Sequence, residues 1–181
     1  MKMKNLVCVW VMMLVSLFCK ADPLDKFVDS LQEQEKVSKW VGETAKGNPS
    51  ATYAKSIVSD VYAHSYSKGL NPVLVLAVAK VESDFVSNAK SSYGAKGIMQ
   101  VVPRFHKTKL AGRNPYNTAV SVEVGTTVLQ ECFDKHNKNV YRSLSCYSGG
   151  AKKYYSKVLK QQYEIVQSTK PKGELLAIHI P

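Results

Sequence analysis

The segment from Asn71 to Pro103, NPVLVLAVAKVESDFVSNAKSSYGAKGIMQVVP, decides the fold predicted for this chain. Asn71 is a favoured residue for capping the start of a helix, and Pro72 suits the first helical position. Residues 73–81 are apolar on nearly every face, which predicts a helix buried at the centre of the protein. The apolar run stops at Glu82, so this helix delivers a carboxylate at its carboxyl end.

The residues after Glu82 are typical of a helix end followed by a loop. Ser83 and Asp84 can satisfy nearby backbone groups with their side chains. Gly94 and Gly97 permit backbone conformations that other residues avoid, which predicts a loop that leads into an apolar stretch. A buried helix that brings a carboxylate to a glycine-rich loop predicts a functional site.

Glu82 is the candidate catalytic residue. At the carboxyl end of a helix it meets partial negative charge and unpaired carbonyl groups, which disfavour an ionised carboxylate. Burial acts in the same direction, and both effects raise a carboxyl pKa, as a general acid that works near neutral pH requires. A solvated glutamate in a last helical turn is the alternative that helix position alone leaves open.

Helical periodicity covers most of the remaining chain, and alternating strand patterns are scarce. The sequence therefore predicts an all-α, mainly helical single domain whose loops near Glu82 form a substrate cleft. The predicted divisions are a signal peptide at residues 1–21, a helical segment with a loop at 22–50, the main domain at 51–167 and a tail at 168–181.

The N-terminus predicts export. Lys2 and Lys4 precede the apolar run of residues 6–18, and residues 19–21 offer a small-residue cleavage site. The run is shorter than the about 20 apolar residues that a membrane-spanning helix needs, although an uncleaved anchor remains the alternative. We expect the protein in the periplasm or cell envelope, with no transmembrane span after signal removal.

The net charge of the chain is +11, which favours polyanionic partners. For an exported protein, these partners are most simply the acidic polymers of a bacterial envelope. The lysines are scattered along the whole chain, and no zinc finger or RNA-binding signature is present. We therefore predict no nucleic-acid partner.

Two cysteines, Cys132 and Cys146, remain after the predicted signal peptide. In an oxidising compartment they suggest one disulfide, with two free buried thiols as the alternative. The histidines show no zinc-type spacing with one another or with the cysteines. Neither a metal site nor another cofactor is predicted.

The order of the motifs is more informative than any one of them. Glu82-Ser83 is followed by Asn88-Ala89, Ser91 and then Gly-Ala-Lys-Gly-Ile-Met-Gln at residues 94–100. With these motifs the segment resembles the core of the soluble-type (SLT) lytic transglycosylases, the goose-lysozyme-like enzymes that cleave bacterial peptidoglycan. The resemblance runs, with gaps, from about residue 53 to 158 and implies a lysozyme-like α domain.

The resemblance also implies a mechanism. Glu82 is expected to protonate the oxygen between N-acetylmuramic acid and N-acetylglucosamine, and then to take the proton of the muramoyl C6 hydroxyl, which leaves a 1,6-anhydro sugar. Tyr147 is expected to orient Glu82 by a hydrogen bond. The implied substrate-binding residues are Ser91, Met99, Gln100, Tyr147, Ser148 and Tyr154, with Met99 as an apolar wall of the cleft, and the implied structural residues are Ser83, Gly94, Gly97 and Gly149.

Two positions depart from the family pattern. Ser121 replaces the Asn of an Asn-Ile-x-x-Gly helix start, and Ser148 replaces the Asn of an Ala-Tyr-Asn-Ala-Gly motif, where the Asn typically contacts substrate. The departure at Ser148 motivates an alternative function, a catalytically weak peptidoglycan-binding or assembly protein of a secretion, conjugation or phage-entry apparatus. A hydrolytic goose-type muramidase is a second alternative.

Overall fold

The structure is a computed structural model that describes residues 23–47 and 49–170. The predicted signal peptide and residues 171–181 of the predicted tail lie outside the described residues. Within the described ranges the chain forms seven helices and no β-strand, and Lys96 makes two isolated bridges, to Lys90 and Val101. The helices are α1 (Pro23–Thr44), α2 (Ala51–Ser67), α3 (Pro72–Ser83), α4 (Lys107–Leu110), α5 (Thr118–Lys135), α6 (Val140–Tyr147) and α7 (Tyr154–Thr169). The prediction of an all-α fold is confirmed.

Helix α3 lies at the centre of the core. The side-chain oxygen of Asn71 accepts a hydrogen bond from the amide of Leu74 at 3.1 Å, and Pro72 begins the helix. Every residue from Leu74 to Ala79 is buried, and the helix packs against both α2 and α7. Because α3 is enclosed in this way, core packing fixes the position of Glu82 in its last turn.

The other helices form the walls around α3. Helix α5 packs against α2, α4 and α6, and α6 also contacts α7. Asn117 and Asn139 cap α5 and α6 by accepting hydrogen bonds from backbone amides of the first helical turns. A disulfide between Cys132 and Cys146 joins α5 to α6, which decides between the two alternatives left open by the sequence.

The N-terminal segment forms the single helix α1, and the one-turn helix α4 follows the glycine-rich loop. By its contacts the chain divides into a unit up to Gln32 and a larger unit from Glu33 onward. The boundaries predicted after residues 50 and 167 stay predictions. None of the helices in the described part of the chain combines the length and apolar character that a membrane crossing requires.

Candidate active site

A cleft of about 610 Å³ opens beside the carboxyl end of α3. Its wall is formed by the end of α3, the loop from Ser91 to His106, one face of α5 and the turn between α6 and α7. Glu82 lies in this wall and is the only carboxylate among the described residues that line the cleft. The candidate catalytic residue and the glycine-rich loop therefore meet at one site.

The carboxyl group of Glu82 has a strongly perturbed pKa. The pKa of Glu82 is raised from its ordinary value to about 7, and burial is the largest cause. The hydroxyl of Tyr154 donates a hydrogen bond to Oε1 of Glu82 at 2.5 Å, and this bond lowers the pKa by a smaller amount because it favours the ionised form. Both protonation states of Glu82 are consequently populated near neutral pH.

The tyrosine that contacts Glu82 differs from the one expected. Tyr147 donates its hydroxyl hydrogen bond to the carbonyl of Met99 at 2.8 Å, whereas Tyr154 donates to Glu82. The reason lies in the packing: Tyr154 begins α7, which runs against α3, while Tyr147 ends α6 and reaches the loop. The structure therefore gives Tyr154 the orienting contact and makes Tyr147 a support for the loop.

The backbone of Met99 is held on both sides. Its amide donates a hydrogen bond to the hydroxyl of Ser121 at 3.1 Å, and its carbonyl accepts the bond from Tyr147. The Met99 side chain is fully buried and packs where Gly125 has no side chain. Met99 thus supports the cleft wall from behind, and the expectation that its side chain forms the apolar sugar-facing surface is wrong.

Two further contacts tie the same loop together. The Ser83 hydroxyl donates a hydrogen bond to the carbonyl of Ile98 at 2.8 Å, which joins the end of α3 to the loop. The Gln100 side chain lines the cleft and donates to the carbonyl of Gly97 at 2.9 Å. Gly97 has φ +76°, and a Cβ there would lie 2.1 Å from the carbonyl oxygen of Pro115. The tight loop therefore requires glycine at this position.

The two predicted serines also line the cleft. Ser91 accepts a hydrogen bond from the amide of Ala95 at 3.0 Å, so its hydroxyl stabilises the glycine loop. Ser148 donates to the carbonyl of Ser145 at 3.2 Å, within the end of α6. Among the predicted structural glycines, Gly94 and Gly149 both have positive φ, and Gly149 lines the cleft.

A family model described as the Transglycosylase SLT domain matches residues 61–168. The chain belongs to this family. Among solved structures it is similar to an inactive mutant of the lytic transglycosylase Slt from Pseudomonas aeruginosa, with 18% sequence identity and a TM-score of 0.48. That match covers 61% of this chain and 22% of the Slt chain. Membership confirms the family recognised from the motifs.

The other acids of this SLT domain that could have served as a second catalytic carboxylate are paired with bases. None of them is among the described residues that line the cleft. The pairs are Lys80–Asp84, Arg113–Glu123, Lys109–Glu131 and Lys138–Asp134. Glu82 therefore has no carboxylate partner among the described residues that line the cleft.

Among the aromatic and basic residues that line the cleft, sequence reasoning missed four: Tyr93, Phe105, His106 and Lys157. Burial lowers the pKa of His106, and its Nδ1 is buried with no hydrogen-bond partner within the described ranges. Tyr93 precedes the first loop glycine, and Phe105 follows Pro103 by two positions. No periodic pattern marks Tyr93, Phe105 and His106, so proximity to the motif was the one signal that could have found these three.

The described residues contain no group of three His, Cys, Asp or Glu side chains that could hold a metal ion. Both cysteines of the disulfide line the cleft, as do Tyr147 and Gly149. Because this bond joins α5 to α6, it holds together two helices that contribute to the same wall.

Proposed function

We propose that this SLT domain is a peptidoglycan lytic transglycosylase that breaks the β-1,4 bond between N-acetylmuramic acid and N-acetylglucosamine. The observation that carries the proposal is Glu82: a partly buried carboxyl group with a pKa near 7, alone in the wall of a cleft and hydrogen-bonded to Tyr154. Most glycosidases use paired carboxylates, one of which activates water or attacks the sugar. A single carboxylate suits a reaction in which the substrate supplies its own nucleophile.

In the first step, protonated Glu82 acts as the general acid. It donates its proton to the glycosidic oxygen, the bond from C1 of the muramoyl residue to that oxygen breaks, and the N-acetylglucosamine side leaves with a hydroxyl group. The hydrogen bond from Tyr154 engages Oε1, so the other carboxyl oxygen is free to carry the proton towards the substrate. Positive charge that develops at C1 then faces the newly formed carboxylate.

In the second step, the same carboxylate acts as the general base. The C6 hydroxyl oxygen of the muramoyl residue attacks C1, a C1–O6 bond forms, and Glu82 takes the hydroxyl proton. The enzyme returns to its protonated state, water is not consumed, and the product ends in a 1,6-anhydro sugar. A pKa near 7 suits both steps because neither protonation state is strongly disfavoured.

The remaining cleft residues are assigned to substrate binding. We propose that Ser91, Gln100 and Ser148 present polar groups to the sugars, and that Tyr154 contacts the substrate as well as Glu82. Peptidoglycan lies outside the cytoplasmic membrane, so the function requires export, for which residues 1–21 are the proposed signal. A secretion, conjugation or phage-entry apparatus as a partner stays a prediction.

The contact of Ser148 favours one alternative enough to be tested. Its hydroxyl donates a hydrogen bond to the carbonyl of Ser145, and serine has no side-chain amide with which to make the substrate contact that an Asn makes. A catalytically weak peptidoglycan-binding protein would retain cleft binding while releasing no products. A hydrolytic muramidase would release products with reducing ends.

Digestion of purified sacculi distinguishes these functions. We expect the wild-type protein to release muropeptides with anhydro ends, and Glu82→Gln to lower the rate by about 10²- to 10⁴-fold, the usual contribution of general acid catalysis. Glu43→Gln is the matched control, because Glu43 lies on α1 with its side chain 62% exposed. Equal rates for Glu82→Gln and Glu43→Gln would refute the role of Glu82, and binding without release by the wild type would favour the alternative.

A further inference from the structure

Two exposed aromatic rings and a guanidinium group lie together at the edge of the cleft. Tyr93 and Phe105 both line the cleft and are 61% and 60% exposed. Their ring centroids are 6.2 Å apart. The guanidinium carbon of Arg104 lies 4.1 Å from the Tyr93 centroid and 4.8 Å from the Phe105 centroid. We call these three residues the aromatic–arginine rim.

Arg104 has its ring contacts but no acidic partner. Its guanidinium makes no ion pair and no hydrogen bond with the residues that the structure describes, unlike Arg113, which forms a two-point contact with Glu123. Contact with two rings restrains a guanidinium while its N–H groups remain able to donate. The two rings therefore restrain the Arg104 side chain while its N–H groups can donate to an acceptor from outside the described residues.

The charge of the surrounding segment indicates what that acceptor is. Between Asp84 and Glu123 the chain contains no acidic residue. The same segment carries six bases, Lys90, Lys96, Arg104, Lys107, Lys109 and Arg113. Lys109 and Arg113 are paired with Glu131 and Glu123, whereas the other four bases form no ion pair with the residues that the structure describes. The local potential is therefore positive, which favours an anionic group of the ligand at the rim. A planar guanidinium binds a carboxylate with two parallel hydrogen bonds and so favours that anion in particular.

We propose that the aromatic–arginine rim binds a carboxylate of the peptide stem carried by the muramoyl residues, so that the cleft prefers glycan strands that still bear peptides. The inference rests on the proposed function, because it adds a contact for the same polymer at the same cleft. The rings supply apolar surface for the stem, and Arg104 supplies the anion contact. The sugars occupy the part of the cleft beside Glu82.

Binding to two forms of one polymer tests the rim. The protein is the mature chain with Glu82→Gln, which prevents turnover, and the probes are fluorescent glycan strands with their peptides and the same strands after an amidase has removed them. We expect peptide-bearing strands to bind about tenfold more tightly, the effect of one charged hydrogen-bonded contact. Adding Arg104→Gln is expected to bring the ratio of the two Kd values close to one, and Arg104→Lys to restore it only in part.

Lys107→Gln provides the matched control, since it removes one exposed positive charge three residues from Arg104. It is expected to keep the tenfold ratio, which separates a specific contact from general charge. The proposal would be overturned if the ratio of the two Kd values were near one in the protein that retains Arg104. It would also be overturned if Arg104→Gln kept the tenfold ratio, or if Lys107→Gln lowered the ratio as much as Arg104→Gln. Because the readout is binding, a failure of the proposed catalysis leaves this result interpretable.

Discussion

A carboxyl group that gives up a proton and then takes one back works best when its pKa lies near the ambient pH. Two opposing influences set this value at Glu82. Burial in the cleft wall raises the pKa, and the hydrogen bond from Tyr154 lowers it by a smaller amount. We therefore propose that Tyr154 is a positioning residue that acts through Glu82.

Replacement of Tyr154 by Phe is expected to shift the pH dependence of kcat/KM to higher pH. The lost hydrogen bond favours ionised Glu82, so its removal raises the pKa further above about 7. The alkaline limb of kcat/KM, which follows loss of the Glu82 proton in the free enzyme, should shift to higher pH. We also expect kcat to fall about tenfold, since the carboxyl group loses its orienting contact. Rates of muropeptide release between pH 5 and 9 provide the measurement.

Tyr163→Phe is the control for this change. Tyr163 lies on the same helix, α7, and is 55% exposed. Its substitution should leave the profile in place. An alkaline limb that stays fixed or moves to lower pH in Tyr154→Phe would show that the tyrosine does not stabilise the Glu82 carboxylate.

At the scale of secondary-structure elements, the cleft depends on how closely the Gly97–Gln100 loop approaches α5. Gly125 allows this approach, because a Cβ at that position would lie 2.5 Å from the Cβ of Met99. The buried Ser121, one turn earlier on the same helix, accepts the hydrogen bond from the Met99 amide. The Ser that replaces the family's Asn thus has a clear structural role.

Gly125→Ala is expected to destabilise the protein by about 1–3 kcal/mol, the usual cost of overpacking a core. The steric conflict acts on Met99 and therefore on the loop that faces Glu82, so peptidoglycan cleavage should fall as well. Urea unfolding and muropeptide release measure the two effects.

Gly42→Ala is a matched control within another helix. A Cβ on Gly42 would meet its nearest neighbour, the Cβ of Ala54, at an ordinary 3.9 Å. Since Ala has the higher helix propensity, this change should be neutral or stabilising by up to about 1 kcal/mol. Equal unfolding free energies for the two variants would contradict the close packing of Met99 on Gly125.

Local sequence signals were sufficient for α3 and for the position of Glu82 near its end, because Asn71, Pro72 and the apolar run all act within one helix. Such local signals could not predict the contacts of Tyr154 and Tyr147. Tyr154 lies 72 positions from Glu82, and Tyr147 lies 48 positions from Met99, so both contacts depend on how the helices pack. The expectation for Tyr147 followed a family motif and missed that packing. The burial of Met99 was missed for the same reason, since it requires Gly125 from a distant helix.

At the scale of the whole molecule, the perturbed pKa of Glu82 has a cost in stability. In the folded protein the pKa is about 7, and the ordinary value is 4.5. Between these values the folded state binds the additional proton, so the free energy of unfolding decreases as pH rises through this window. From the size of the shift, the decrease attributable to Glu82 is at most about 3 kcal/mol.

Glu82→Gln should remove this dependence. We expect the variant to resemble the wild type in stability near pH 4.5 and to be more stable than the wild type at pH 8. Unfolding by urea at both pH values provides the comparison, and taking the difference between the two proteins cancels the titration of other groups. A difference that does not grow from pH 4.5 to pH 8 would contradict the raised pKa in the folded state.

Digestion of glycan strands in water enriched in heavy oxygen is the most direct test of the mechanism. It shows whether C1 is attacked by the C6 hydroxyl of the same muramoyl residue or by water. In the proposed mechanism the C6 hydroxyl attacks C1, so the products should carry 1,6-anhydro ends and no heavy oxygen. Mass spectra that show reducing ends labelled with heavy oxygen would contradict the mechanism, because they would show that water attacks C1.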